Sequence, residues 1–251
     1  MFETIILLII SVAPALFLVV YYYKKDKAKP EPKELIIKSF LWGCFLVIPA
    51  IILELLASSM FELYSPGFVL LMIVINSFVI AGLIEEWLKR YAVLHTAYKS
   101  AFFDEVMDGI LYTIVVSLGF AAVENIFYVL EGGYSVALMR AITAIPLHAT
   151  ASGIMGYYIG KAKFAPTPLE EVKLFRTGLK KAVLIHGFYN FTVYSASIYS
   201  EWIFAGVFVI LIGGFIHLRK LIKLALAEDE LLGRQGEALE LLLLKELFNK
   251  Q

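Results

Sequence analysis

The sequence predicts an all-α fold, a polytopic membrane helix bundle of about seven transmembrane helices followed by a cytoplasmic amphipathic C-terminal helix. Three observations predict it. Of the 251 residues, 60% are hydrophobic and 14% aromatic, and the mean hydropathy of +0.80 lies well outside the soluble range. The apolar residues fall in runs of about 20, long enough to cross the hydrocarbon core at about 1.5 Å per residue. Lysine and arginine gather in alternate connections, as the positive-inside rule requires. A formal net charge of zero gives no reason to expect nucleic acid as a partner. The single cysteine, Cys44, lies in an apolar run and reads as a small buried residue.

Each element has its own justification. Residues 4–23 carry no charge and form the first span; Met1, Phe2, Glu3 and Thr4 lack the positive charge of a signal peptide. Lys24, Lys25, Lys27, Lys29 and Lys33, broken by Pro30 and Pro32, mark a cytoplasmic loop, so the N-terminus lies outside. Residues 35–58 form the second span, with a kink expected at Pro49 and Glu54 near the outer end. Ser65-Pro66-Gly67 turns the chain into a third span that holds Asn76 and Gly82 and runs through Glu85 and Glu86 to about His95. Asp104, Glu105 and Asp108 suit the N-terminus of a fourth, which passes Glu124 and reaches about Leu130 before an outer turn at Glu131-Gly132-Gly133. Residues 136–160 are the fifth, with Arg140 near the outer end, His148 near the middle, and small residues (Ala149, Ala151, Ser152, Gly153, Gly156) for close packing. Residues 178–199 are the sixth, with His186 and Asn190, and 202–218 the seventh. Past Leu224, leucines alternate with glutamate and lysine, a helix for the inner membrane surface. The chain thus divides into a transmembrane domain, 1–224, and a cytoplasmic tail, 225–251.

A carboxylate inside a span costs several kcal/mol unless something offsets it, so Glu85, Glu86 and Glu124 mark a site. His148 lies about 20 Å from either end of its span, and Glu85 about 21 Å from the turn near Lys99. Glu124 is about 24 Å deep if its helix begins at Asp108; a start at Ala101 would need a correction by tilt or by a bend at Gly119. Glu85 with Lys89 and Glu86 with Arg90 are i,i+4 pairs. They suit ion pairs at a helix end, but two adjacent glutamates point about 100° apart, so one of them faces the bundle. His186 and Asn190 are one turn apart on one face. His95 and His217 lie at span ends and need no function. Glu54 and Arg140 suit either a structural pair or a substrate role, and Asn76 an interhelical hydrogen bond.

The stretches Ile84-Glu85-Glu86-Trp87-Leu88-Lys89, Phe103-Asp104-Glu105-Val106-Met107-Asp108-Gly109-Ile110, Gly119-Phe120-Ala121-Ala122-Val123-Glu124-Asn125, Pro146-Leu147-His148 and His186-Gly187-Phe188-Tyr189-Asn190 resemble the PrsW family of intramembrane proteases. That family is related to the CAAX prenyl endoproteases and bacteriocin-processing enzymes. The resemblance runs from the third span through the sixth. It implies a peptidase that cuts a single-span membrane protein, an anti-sigma factor in stress signalling, at an extracytoplasmic position. By the same resemblance Glu85 is the general base, Glu86 a second acidic group, and His186 with Asn190 the oxyanion side, with His148 completing the cavity. Glu124 stands where the prenyl endoproteases have histidine, which leaves the partner of Glu85 open.

Peptide hydrolysis needs an activated water and donors for the oxyanion, and glutamate, histidine and asparagine supply both. The same residues allow a zinc mechanism with Glu124, His148 and His186 as ligands, although no His-Glu-x-x-His helix is present. A proton-coupled secondary transporter is the alternative outside enzymes, since buried carboxylates and histidines also relay protons. It would be expected to show two related halves, and none are visible.

Overall fold

A computed structural model of the chain describes residues 2–25, 29–64 and 67–248, and among these every regular element is helical. Lys27, Ser65 and Pro66, used above to mark a loop and a turn, lie outside the described residues. The elements are α1 (Phe2–Tyr23), α2 (Lys33–Tyr64), α3 (Val69–Val74), α4 (Ile84–Thr96), α5 (Val106–Ile142), α6 (Ala144–Lys163), α7 (Pro168–Ile198) and α8 (Ala205–Phe248). A π-helical stretch, Ile75–Leu83, joins α3 to α4.

Helix α5 is the axis of the bundle. From Val106 to Ala122 every residue is buried, because this run is apolar on all faces and a helix of that kind must be enclosed. Acidic residues stand at its start, as expected, and they form a capping box: Glu105 is the N-cap, its side chain accepting from the backbone of Asp108, while Asp108 Oδ2 accepts from Glu105 N at 2.7 Å. A start at Val106 gives the deep placement of Glu124, and the helix stays regular through Gly119. A further cap comes from α8, where Asp229 accepts from Val106 N (2.5 Å) and Met107 N (3.0 Å). The chain turns back at Gly133, whose φ of 66° is open to glycine, and after a break at Thr143 α6 continues antiparallel to the first part of α5. The small residues of α6 do allow close packing: a Cβ on Gly156 would stand 2.3 Å from Gly109 O of α5.

Among the described residues, five segments are long and apolar enough to cross a membrane: Glu3–Tyr23, Lys33–Phe61, Val69–Thr96, Val106–Lys163 and Glu201–Arg234. The fourth and fifth expected spans both fall within Val106–Lys163. The sixth falls in α7, which is not among the five because its apolar half carries His186, Tyr189, Asn190 and Tyr194. Helix α2 runs through Pro49 without interruption. The division placed at Leu224 falls inside α8, which continues to Phe248, since residues 219–232 contain only helix-compatible types.

The loop and helix-end charges gather at one end of the bundle. Lys29 pairs with Asp104 (3.0 Å), Lys161 with Glu228 (2.8 Å), and Lys163 donates to Tyr98 O (2.7 Å). Glu31 is buried there, accepting from Tyr112, while its carbonyl accepts from Tyr23 (3.0 Å). Burial pushes the Glu31 carboxyl above the usual carboxylate range.

Candidate active site

Four helical elements carry the polar side chains to one point. The π-helical turn precedes Glu85 and Glu86 directly, and such turns re-aim the residues that follow them. Its Phe78 ring lies against Gly187 of α7, where a Cβ would come within 2.2 Å of the ring. That close approach brings His186, the residue before, onto Glu86.

Lys89 is the centre. It is fully buried, and its ammonium donates to Glu85 Oε2 (2.9 Å), Glu86 Oε1 (2.8 Å) and His148 Nδ1 (2.9 Å), using all three of its hydrogens. The Phe120 ring packs 4.6 Å from the same nitrogen, a cation–π contact. Of the two pairs expected from spacing, Glu85–Lys89 forms, but inside the bundle and not at the membrane interface. Lys89 bridges both glutamates inside the bundle, and Glu86 makes no pair with Arg90 because its oxygens are taken by Lys89, by His186 Nδ1 (2.9 Å) and by the Ser152 hydroxyl (2.7 Å).

His148 bridges two groups. Nδ1 accepts from Lys89, which leaves Nε2–H to donate to Glu124 Oε2 at 3.0 Å. Glu124 is held in turn by Arg140 (2.9 Å), whose Nε donates to Asn125 Oδ1 (2.7 Å), while the Asn125 amide donates to Ser11 O of α1 (2.8 Å). Arg140 thus pairs with Glu124, and the Glu54–Arg140 pair does not form. The rings of His148 and His186 meet edge to face, 5.2 Å apart.

The two adjacent glutamates differ in what they leave free. Glu86 has both oxygens engaged and no exposed surface. Glu85 has one oxygen on Lys89, and the other stands 3.9 Å from His186 Nε2. Glu85 also lines a cavity of about 160 Å³, together with Glu54 of α2 and Phe120 and Glu124 of α5. A larger groove of about 640 Å³ runs along the outer face of α2 between Glu34 and Phe45, remote from these groups. Asn190 is half-buried one turn beyond His186 and makes no hydrogen bond among the described residues. The interhelical bond expected from Asn76 is likewise not formed among them; Asn76 lines a cleft beside Tyr194 and Ser197. His95 bonds the carbonyl of Tyr91 on its own helix (2.8 Å).

One ligand atom from each of Glu85, Glu86, His148 and His186 lies within 4.8 Å of all the others. Two carboxylates and two imidazoles are a suitable donor set for zinc. Glu124 is not in this group, so the three-ligand set drawn from the sequence is corrected. Its carboxylate sits behind His148, the place of a group that orients a ligand. The Lys89 ammonium already bonds three of the four donors and would have to yield to a divalent ion.

A family model described as PrsW family intramembrane metalloprotease matches residues 31–215. The chain belongs to the PrsW family of intramembrane proteases. Proteins named Protease PrsW include one from Bacillus subtilis (strain 168), 35% identical over 194 residues, covering 77% of this chain and 84% of the relative. One from Oceanobacillus iheyensis is 39% identical over 181 residues, 72% of this chain and 80% of the relative. A third, from Geobacillus kaustophilus, is 39% identical over 155 residues, where the match spans 62% of this chain and 66% of the relative. No solved structure matches the chain. As a PrsW-family protein it carries Ser152 and Lys89 in places that sequence reasoning assigned to packing and to the membrane interface.

Proposed function

We propose that this chain is an endopeptidase that cuts a single-span membrane protein of the anti-sigma-factor type, with Glu85 activating the attacking water. The observation that carries this is the carboxylate oxygen of Glu85 left without a hydrogen bond: of the two glutamates that touch the buried cluster and line the cavity, Glu85 stands within the group of two carboxylates and two imidazoles, whereas Glu124 is held behind His148 by Arg140. Glu85 takes a proton from a water in that cavity and returns it to the leaving amine. Lys89 provides positive charge beside the developing oxyanion and the unengaged amide of Asn190 a donor; His186, whose Nδ1–H is committed to Glu86, donates there from Nε2 only as the imidazolium. Glu86 fixes Lys89 and His186, and Glu124 fixes the tautomer of His148. The bundle crosses the bilayer seven times, with its charged end and α8 terminus cytoplasmic, in keeping with the lysines gathered there.

The four-donor cluster favours a second reading, in which Glu85, Glu86, His148 and His186 would hold a divalent ion such as zinc, which would supply Lewis-acid activation of the attacking water. One assay tests both. The purified protein is incubated with a single-span substrate, with and without a tight chelator. A new fragment that forms in chelator and is absent with Glu85→Ala supports the glutamate mechanism. Loss of the fragment in chelator and its return with added zinc supports the metal. No fragment under any condition overturns both.

A further inference from the structure

We infer that Glu54 is a specificity-determining residue that receives a basic side chain of the substrate next to the scissile bond, an inference that rests on the proposed peptidase reading. Glu54 sits within an apolar span, Lys33–Phe61, and lines the same cavity as Glu85 and Glu124. It lies close enough to feel the charges of Glu85, Glu124 and Lys89. The other two carboxylates each have a cation: Lys89 serves Glu85, and Arg140 serves Glu124. Glu54 has neither a hydrogen bond nor an ion pair among the described residues.

The remaining wall is aliphatic and aromatic, with Ile51, Phe120 and Phe127 among its members. A lysine or arginine entering there would lay its stem along this wall and bring its charge to Glu54, as long basic side chains do at apolar surfaces. A carboxylate without a counter-charge inside a membrane is costly, and a substrate cation would remove that cost on binding. The cavity is small, so a side chain reaching Glu54 belongs to a residue adjacent to the bond held at Glu85.

The test uses single-span peptides identical except for lysine, glutamine or glutamate at each position flanking the cleavage point. Binding is measured by fluorescence anisotropy to detergent-solubilised Glu85→Gln protein, with cleavage followed in parallel in wild type. With Glu54 present, lysine should exceed glutamine by at least about tenfold at one position. Adding Glu54→Gln should abolish that preference, and Glu54→Lys should turn it toward glutamate. A lysine preference that is absent, or that persists unchanged in Glu54→Gln, overturns the inference. The binding arm does not need turnover, so it reports on Glu54 even if cleavage fails; failed cleavage alone counts against the peptidase reading.

Discussion

Lys89 explains why neighbouring glutamates have different work. Three acceptors surround its ammonium, and removing one member of a buried charge group leaves the others uncompensated. Glu86→Gln should therefore destabilise the protein, approaching the cost of about 3–5 kcal/mol typical for a broken buried pair. Glu85→Gln also takes a charge from Lys89, but Glu85 makes one hydrogen bond where Glu86 makes three, so it should cost less stability than Glu86→Gln, while cleavage falls by about 10²–10⁴-fold. Thermal melting and initial rates on the two variants check this; equal melting losses would show that the glutamates share one role. The i,i+4 spacing of Glu85 and Lys89 was legible in the sequence. Which way that face points was not, because a helical period shows which residues align and says nothing about whether they face lipid or protein.

At the scale of elements, Asp104, Glu105 and Asp108 marked the neighbourhood of the start of α5, since acidic residues suit a helix N-terminus, while the choice between Asp108 and Ala101 stayed open until the capping box was seen. The caps from Asp229 were not legible, because they join residues more than a hundred positions apart. The same end of α5 holds Glu31, which links the loop after α1 to Tyr112. Its raised carboxyl pKa has a definite sign for stability. The folded state holds the Glu31 proton more tightly than the unfolded chain, so this contribution is fully present at acid pH, below the unfolded value. It is lost as pH rises through the raised folded value. Melting in detergent should show this loss across the carboxylate range and just above it, and Glu31→Gln, which cannot deprotonate, should flatten the profile. An unchanged profile in that variant would remove Glu31 from the linkage.

For the whole molecule, hydropathy and charge placed the chain in a membrane and grouped its polar residues, because lipid penalises each misplaced charge individually. Helix α7 shows the limit of that signal: the residues that build the site lower its apolarity below that of a span. The proposed orientation rests on the charged end. In a Cys44→Ala background, a cysteine placed at Lys163 should react with a membrane-impermeant maleimide only from the cytoplasmic side, and one at Gly133 only from outside. The reverse pattern would invert the topology.

The most direct test of hydrolysis by a water that Glu85 activates is a single turnover in ¹⁸O-labelled water, with protein in excess over substrate. The new C-terminal carboxylate and the segment containing Glu85 are then weighed by mass spectrometry. The expected result is one ¹⁸O in the product carboxylate and none in Glu85. Label in the Glu85 side chain, or a product without label, would mean that the carboxylate itself attacks the peptide bond, and would contradict its role as the base.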